Sequence, residues 1–104
     1  MAVAQIMAQM QSAFVADEAE YLEVTFQFCI SDDEDFYVTI DNGTCATSLG
    51  NHDDPEITMS MDSETLTEIV SGELDGMAAF MGGRLQAEGD VMLGTQLSQL
   101  FKMG

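Results

Sequence analysis

The residues best suited to proton transfer or nucleophilic attack are few in this chain of 104 amino acids. His52 is the sole histidine, and it stands in the polar stretch GNHDDP with no serine or cysteine beside it. A nucleophile of the triad type needs a histidine that accepts its proton. A lone histidine among loop aspartates is typical of an exposed side chain. We therefore predict no catalytic residues and no enzymatic activity.

Two other stretches contain residue types that bind ions or phosphates. Residues 31–35, SDDED, concentrate carboxylates but lack the spaced ligands and the glycine of a calcium-binding loop. Gly82 and Gly83 precede Arg84 and a predicted strand, whereas a phosphate-binding loop continues into Lys-Ser or Lys-Thr and a helix. We expect neither a metal site nor a cofactor.

The balance of charge excludes several classes of partner. The chain contains nineteen Asp and Glu residues but only two Lys and Arg residues, Arg84 and Lys102. Its formal net charge is -17 at pH 7. Nucleic acids and anionic membrane surfaces are bound by clustered Lys and Arg. The sequence also lacks a run of about eighteen apolar residues and a basic N-terminal region. We expect a cytoplasmic protein with no nucleic-acid partner and no integral membrane association.

Length and apolar content predict a single folded domain over residues 1–104. Hydrophobic residues make up 46% of the chain, which is too high for a disordered chain of this charge. A chain of this length forms one hydrophobic core. Cys29 and Cys45 are too few for a disulfide framework and form no CxxC pair, so we expect buried free thiols.

Hydrophobic periodicity predicts the order helix, four strands, two helices, strand, helix. Apolar residues recur at helical spacing over 3–16, and the period becomes two over 24–30 and 36–40. Asn42 and Gly43 supply the two left-handed conformations of a tight hairpin turn. Two more strands follow around 45–49 and 55–61. Hairpin connections favour antiparallel pairing of these four strands and an α+β class.

The second half is divided by acidic helix caps. Asp62 and Asp75 each precede an apolar helical stretch, and their carboxylates are suited to accept hydrogen bonds from first-turn amides. The second of these helices covers 76–81 and ends at two glycines. A fifth strand over 84–88 and a last helix after Asp90 complete the chain.

The second half of the chain combines a strand-to-helix passage with a short apolar helix. These features lie in residues 57–90, ITMSMDSETLTEIVSGELDGMAAFMGGRLQAEGD, and in the closing LSQLF. Within them, AAFMGGRL leads from small and aromatic residues through glycine into a strand, and EGD leads into the final helix. Together with the hairpin YVTIDNGTCA, these stretches resemble the sterol carrier protein 2 (SCP2) lipid-binding domain family. The resemblance covers essentially the whole chain.

This resemblance implies a five-stranded, largely antiparallel sheet, covered by helices on one face, with an apolar tunnel between them. Family members take up fatty acids, fatty acyl-CoAs, sterols or other lipids without chemistry of their own. It thus implies a lipid carrier that holds a long-chain lipid. The alternative is an accessory domain that partners a lipid-processing enzyme. A homodimer or a lipid-metabolising enzyme is the protein partner that we consider.

The nine methionines and the glycine-bounded helix are the features that bear on a ligand site. Flexible thioethers adapt to variable ligands, although the pattern alone favours methionines that fill a packed core. The resemblance favours a cavity, with helix 76–81 as a movable lid, because short helices are marginally stable. The strongly negative surface favours neutral over anionic lipids. The residues expected to contact lipid are Met10, Phe14, Phe26, Phe28, Met59, Met61, Leu66, Ile69, Met77, Phe80, Met81, Leu85, Leu93, Leu97, Leu100 and Phe101.

Overall fold

The computed structural model describes residues 3–94 and 100–101. In chain order its elements are the helix α1 (Val3–Ala13), a 3-10 helix (Ala16–Ala19), the strands β1 (Glu23–Ile30), β2 (Phe36–Asp41), β3 (Thr44–Leu49) and β4 (Ile57–Met61), the helices α2 (Ser63–Val70) and α3 (Gly76–Met81), the strand β5 (Gln86–Gly89) and the helix α4 (Val91–Gly94). This order matches the order predicted from the sequence, except that the 3-10 helix was not predicted.

The hairpin turn between β2 and β3 has the predicted conformation. Asn42 has a φ of 48° and Gly43 a φ of 86°, so both residues adopt the left-handed region. Turns of this kind have a twist that matches the twist of the two strands they connect. The turn therefore fixes the register in which Asp41 lies opposite Thr44 and Phe36 lies opposite Leu49.

The five strands form one sheet in the order β3-β2-β1-β4-β5. Pairing is antiparallel except between β1 and β4, which run parallel with Phe26 opposite Ile57. The largely antiparallel α+β fold is confirmed, but the expectation that the first four strands are all antiparallel is wrong for β4. After β3, residues 50–56 carry the chain back to the far side of β1, and such a crossover gives two strands the same direction.

Gln27 holds residues 50–56, which we call the crossing segment, against the sheet. Its Oε1 accepts a hydrogen bond from the backbone N of His52 at 2.7 Å, and its Nε2 donates to the carbonyl oxygens of Phe36 and Gly50, each at 3.1 Å. The His52 ring lies edge-on to Tyr37, with centroids 5.2 Å apart. Gln27 is only 3% exposed because the crossing segment covers it, although it lies on the face of β1 opposite the core.

The core lies on the opposite face of the sheet, beneath α1 and α2. Directly opposed residues of β1, β2 and β4 share this face, including Phe28 with Phe36 and Phe28 with Met59. Both helices place apolar residues in the same cluster of buried side chains. Those helical residues are Val3, Ile6 and Met10 of α1 and Leu66, Ile69 and Val70 of α2.

Candidate functional site

The core face of the two central strands carries four of the predicted lipid-contacting residues. Phe26 and Phe28 of β1 are fully buried, and Met59 and Met61 of β4 are at most 5% exposed. The ring of Phe28 stacks on Phe36 with centroids 4.8 Å apart and planes 9° from parallel. These side chains form the floor of the hydrophobic core that lies between the sheet and the helices.

Most of the other predicted residues surround this floor. Phe14, after α1, is half-buried and contacts Phe101, with ring centroids 5.8 Å apart. The backbone of Val15 donates to the carbonyl of Leu100 at 2.8 Å, which ties the end of α1 to the C-terminal segment. The remaining predicted residues that are buried in the core are Met10, Leu66, Ile69, Leu85, Leu100 and Phe101. Leu93 is half-buried against the core, and Leu97 lies outside the described residues.

Helix α3 differs from the rest of the predicted site because its large side chains are exposed. Met77, Phe80 and Met81 are 45%, 44% and 79% exposed, and Ala79 is the residue of this helix that is buried. The helix begins where the Asp75 carboxylate accepts a hydrogen bond from the amide of Ala78 at 3.2 Å. The predicted cap is therefore present, and the predicted lid packs on the core through one small side chain.

The carbonyl of Ala79 links α3 to the two residues that precede β5. The oxygen of Ala79 accepts hydrogen bonds from the backbone N atoms of Arg84 at 2.9 Å and Leu85 at 3.2 Å. Leu85 in turn is 7% exposed and belongs to the core. This attachment sets the position at which the chain leaves α3 and enters β5.

An open pocket of about 550 Å³ lies at the carboxyl ends of β1 and β4. That volume is within the range of small-molecule sites in proteins. Met61 is the predicted lipid-contacting residue that lines it. This site was not predictable from the sequence because its residues come from separate segments that the parallel pairing of β1 and β4 brings together. The lining residues are Cys29, Ile30, Ser31, Asp35, Ser60, Met61, Asp62, Thr65, Gly83, Arg84 and Gln86.

The charged groups of this pocket already have protein partners. The Arg84 guanidinium pairs with Glu68 at 2.7 Å, and this hydrogen bond raises the pKa of Arg84. Asp35 Oδ1 accepts a hydrogen bond from the backbone N of Ile30 at 2.9 Å. Asp62 caps α2 through the amide of Thr65 at 2.8 Å, and hydrogen bonds from Thr65 lower the pKa of Asp62. The pocket thus presents two carboxylates and one neutralised cation.

Both cysteines are free and half-buried. Burial raises the pKa of the Cys29 thiol, which lines the pocket, and the charges of Asp35 and Glu88 raise it further. Burial raises the pKa of Cys45 to about 11. Because the thiolate is the reactive form of cysteine, both side chains are poor nucleophiles at neutral pH.

The acidic turn after β1 has structural partners. Asp33 Oδ2 accepts a hydrogen bond from the backbone N of Val3 at 3.0 Å, and Asp32 binds the first turn of α2. Within residues 3–94 and 100–101, no three histidine, cysteine or acidic side chains come together as a metal site. His52 is half-buried, not exposed as expected, and its Nδ1 accepts a hydrogen bond from the backbone N of Asp54 at 3.1 Å.

Comparison with known proteins gives a match over nearly the whole chain. A family model described as the SCP-2 sterol transfer family matches residues 3–102. Hydroxysteroid dehydrogenase-like protein 2 of Danio rerio is 38% identical over 61 residues, which are 56% of this chain and 15% of that protein. The chain therefore spans about one seventh of the length of that relative.

Two solved structures are similar over all or nearly all of the chain. The sec-alkylsulfatase Pisa1 from Pseudomonas sp. has a TM-score of 0.90 at 19% identity, covering 100% of this chain and 17% of the sulfatase. The solution structure of palmitated SCP2L2 from Aedes aegypti has a TM-score of 0.70 at 18% identity, covering 95% of this chain and 93% of the other. These likenesses identify the fold.

In the described part of this chain, no helix has the length and hydropathy to span a bilayer.

Proposed function

The chain belongs to the SCP-2 sterol transfer family, and we propose that it is a non-enzymatic carrier that holds one long-chain lipid between the sheet and the helices. The family match over residues 3–102 is the observation that carries this proposal. The relative described as palmitated supports a fatty chain as one ligand class. The clustering of ten predicted contact residues in one core, each at most 7% exposed, agrees with a single apolar site.

The apolar part of the ligand provides the binding energy. Each methylene taken out of water contributes about 0.8 kcal/mol, so a chain of about 14 carbons contributes on the order of 10 kcal/mol before ordering costs. Met10, Met59 and Met61 are buried in the hydrophobic core, and their flexible side chains can repack around lipid chains of different length. Micromolar affinity for several lipids is expected.

The polar end of the ligand lies, in our proposal, in the pocket at the carboxyl ends of β1 and β4. Ile30 and Met61 line that pocket and also belong to the core, so an alkyl chain and its headgroup can be continuous there. The positive charge of Arg84 is neutralised by its ion pair with Glu68. The carboxylates of Asp35 and Asp62 line the pocket and would repel a bound anion. An uncharged headgroup therefore fits better than a carboxylate or phosphate.

Displacement of a fluorescent fatty acid by a fatty alcohol and by the acid of equal length tests both parts of the proposal. We expect displacement by both lipids, with the alcohol binding more tightly in dilute buffer and the difference shrinking in high salt. Asp35→Asn should improve binding of the acid, whereas Asp53→Asn, the same charge change in the crossing segment, should have less effect. Equal affinities in dilute buffer would contradict the headgroup assignment. Failure of every lipid to displace the probe would contradict the carrier.

A role as an accessory domain of an enzyme is supported by relatives that are much longer than this chain. The matched region makes up 15% of the Danio rerio protein and 17% of the sulfatase, so related domains occur within enzymes. An accessory domain that presents lipid to an enzyme partner is the corresponding proposal. Native mass spectrometry distinguishes the two, because co-purified lipid favours the carrier and a stoichiometric protein partner favours the accessory domain. The homodimer, the cytoplasmic location and the single-domain organisation stay predictions.

A further inference from the structure

Helix α3 exposes three large apolar side chains among its six residues. Met77, Phe80 and Met81 are each between 44% and 79% exposed. Soluble proteins expose such side chains singly, whereas several together mark a surface that contacts a partner. We call Met77, Phe80 and Met81, with the exposed Gly82 and Gly83 that follow, the α3 patch.

The α3 patch is uncharged within a strongly acidic molecule. Residues 76–83, GMAAFMGG, contain no ionisable side chain, although the chain carries a formal net charge of -17. The carboxylates of Glu73 and Asp75 precede the patch, and both residues are exposed. Arg84, which follows it, is paired with Glu68 at 2.7 Å. The patch is thus an apolar surface bordered by carboxylates, with no unpaired cation at either end of 76–83.

We infer that the α3 patch docks on a zwitterionic lipid surface. This inference rests on the proposed function, because a carrier must collect its lipid from a membrane. Met77, Phe80 and Met81 would enter the boundary between headgroups and acyl chains, as exposed apolar side chains of interfacial helices do. The carboxylates of Glu73 and Asp75 would lie at the level of the choline ammonium groups, which they complement in charge.

The charge also disfavours two other occupants of the patch. An anionic lipid surface repels a protein with a formal net charge of -17 and offers no partner for the bordering carboxylates. A second copy of the chain carries the same charge, so self-association through the patch is opposed by mutual repulsion. Vesicle composition and the oligomeric state of the free chain distinguish these occupants from a zwitterionic surface.

Sedimentation of the full chain with extruded phosphatidylcholine vesicles tests the inference. We expect co-sedimentation with these vesicles and weaker co-sedimentation with vesicles rich in phosphatidylglycerol at low salt. Met81→Gln should lower the apparent partition coefficient about tenfold, because it removes the most exposed apolar side chain of the patch from the contact. Leu49→Gln, on the β3 edge of the sheet and 53% exposed, is the matched control and should leave binding unchanged. Circular dichroism establishes that both variants are folded.

Several results would overturn the inference. These are equal loss of binding in Met81→Gln and Leu49→Gln, tighter binding to phosphatidylglycerol, and a dimer of the free chain that Met81→Gln dissociates. Fluorescent fatty-acid displacement without vesicles separates this inference from the proposed function. Lipid displacement in a protein that does not sediment with vesicles refutes docking alone, and vesicle binding without displacement refutes the carrier alone.

Discussion

The carboxylate of Asp32 accepts two hydrogen bonds from Ser63, one from the backbone N and one from Oγ, each 2.8 Å long. These bonds join the turn after β1 to the first turn of α2, beside the cap that Asp62 provides. The hydrogen bonds lower the pKa of Asp32, and those from Thr65 lower the pKa of Asp62. The start of α2 is therefore held by two ionised carboxylates at neutral pH.

Asp62→Ala tests this arrangement through its pH dependence. Loss of the cap should reduce the free energy of unfolding by about 1 kcal/mol at pH 7. A carboxylate whose pKa is lowered on folding stabilises the protein above its unfolded-state pKa of about 3.9 and loses that contribution as pH falls through the folded-state value. The gap between wild type and variant in urea unfolding should thus be constant from neutral pH to about pH 5 and close below about pH 4. Asp53→Ala is the control, and a gap that persists in acid would contradict the assignment.

Gly89 is predicted to tolerate no side chain. A Cβ atom there would lie 2.5 Å from the backbone oxygen of Glu56, at a φ of +96°. Gly50 is a matched control, because its φ is +105° and a Cβ would meet nothing within 4 Å. Gly50→Ala should reduce the free energy of unfolding by about 1–2 kcal/mol through conformational strain alone. Gly89→Ala should lose about 1–3 kcal/mol more because the clash adds to that strain. Equal urea midpoints for the two variants would show that β5 shifts to admit the methyl group.

Gln27→Leu should destabilise the fold although it places an apolar residue at a buried position. The change leaves the carbonyl of Gly50 and the amide of His52 without the partner that fastens the crossing segment. An unsatisfied buried group reduces the free energy of unfolding by about 1–3 kcal/mol. Urea unfolding measures this loss, and Gln9→Leu on the exposed face of α1 should show almost none. A Gln27→Leu protein as stable as wild type would mean that the crossing segment is held by other contacts.

Phe80→Glu and Met81→Glu should abolish lipid uptake and leave the fold largely intact. Both side chains are exposed, so a charge at either position is solvated in the unliganded protein. If α3 closes over the lipid, that charge would have to be buried against an alkyl chain, which is strongly unfavourable. Fluorescent fatty-acid binding and circular dichroism measure the two effects. Leu49→Glu provides the same charge at an exposed position on the β3 edge. Lipid uptake should be unchanged in this control. Unchanged uptake in Phe80→Glu and Met81→Glu as well would refute the role of α3 as a lid.

Local elements were predictable from the sequence because their signals are local. The caps at Asp62 and Asp75 and the left-handed pair Asn42-Gly43 act on backbone groups within a few residues. Period-two alternation identified the core faces of β1, β2 and β4. These features fixed the order of elements and the candidate floor of the site.

Long-range relationships were not predictable in the same way. Nothing in the alternation of β1 distinguishes Gln27 from an exposed residue, because its burial depends on a segment that crosses it from another part of the chain. The parallel pairing of β1 with β4 has the same origin, as does the pocket at their ends. The exposure of Phe80 and Met81 was also not visible, since a pattern of apolar residues gives no information about which side meets solvent.

The parallel pair at the centre of the sheet also bears on how the molecule assembles. The β1–β2–β3 meander closes through short turns, whereas β4 meets β1 only after the chain has passed the whole hairpin and the crossing segment. Loop closure over a long intervening stretch lowers the rate at which such contacts form. The meander is therefore expected to act as the early folding unit, with β4 and everything after it adding later. Pulsed hydrogen exchange during refolding would show this as protection of β2 amides before those of β4, and the reverse order would refute it.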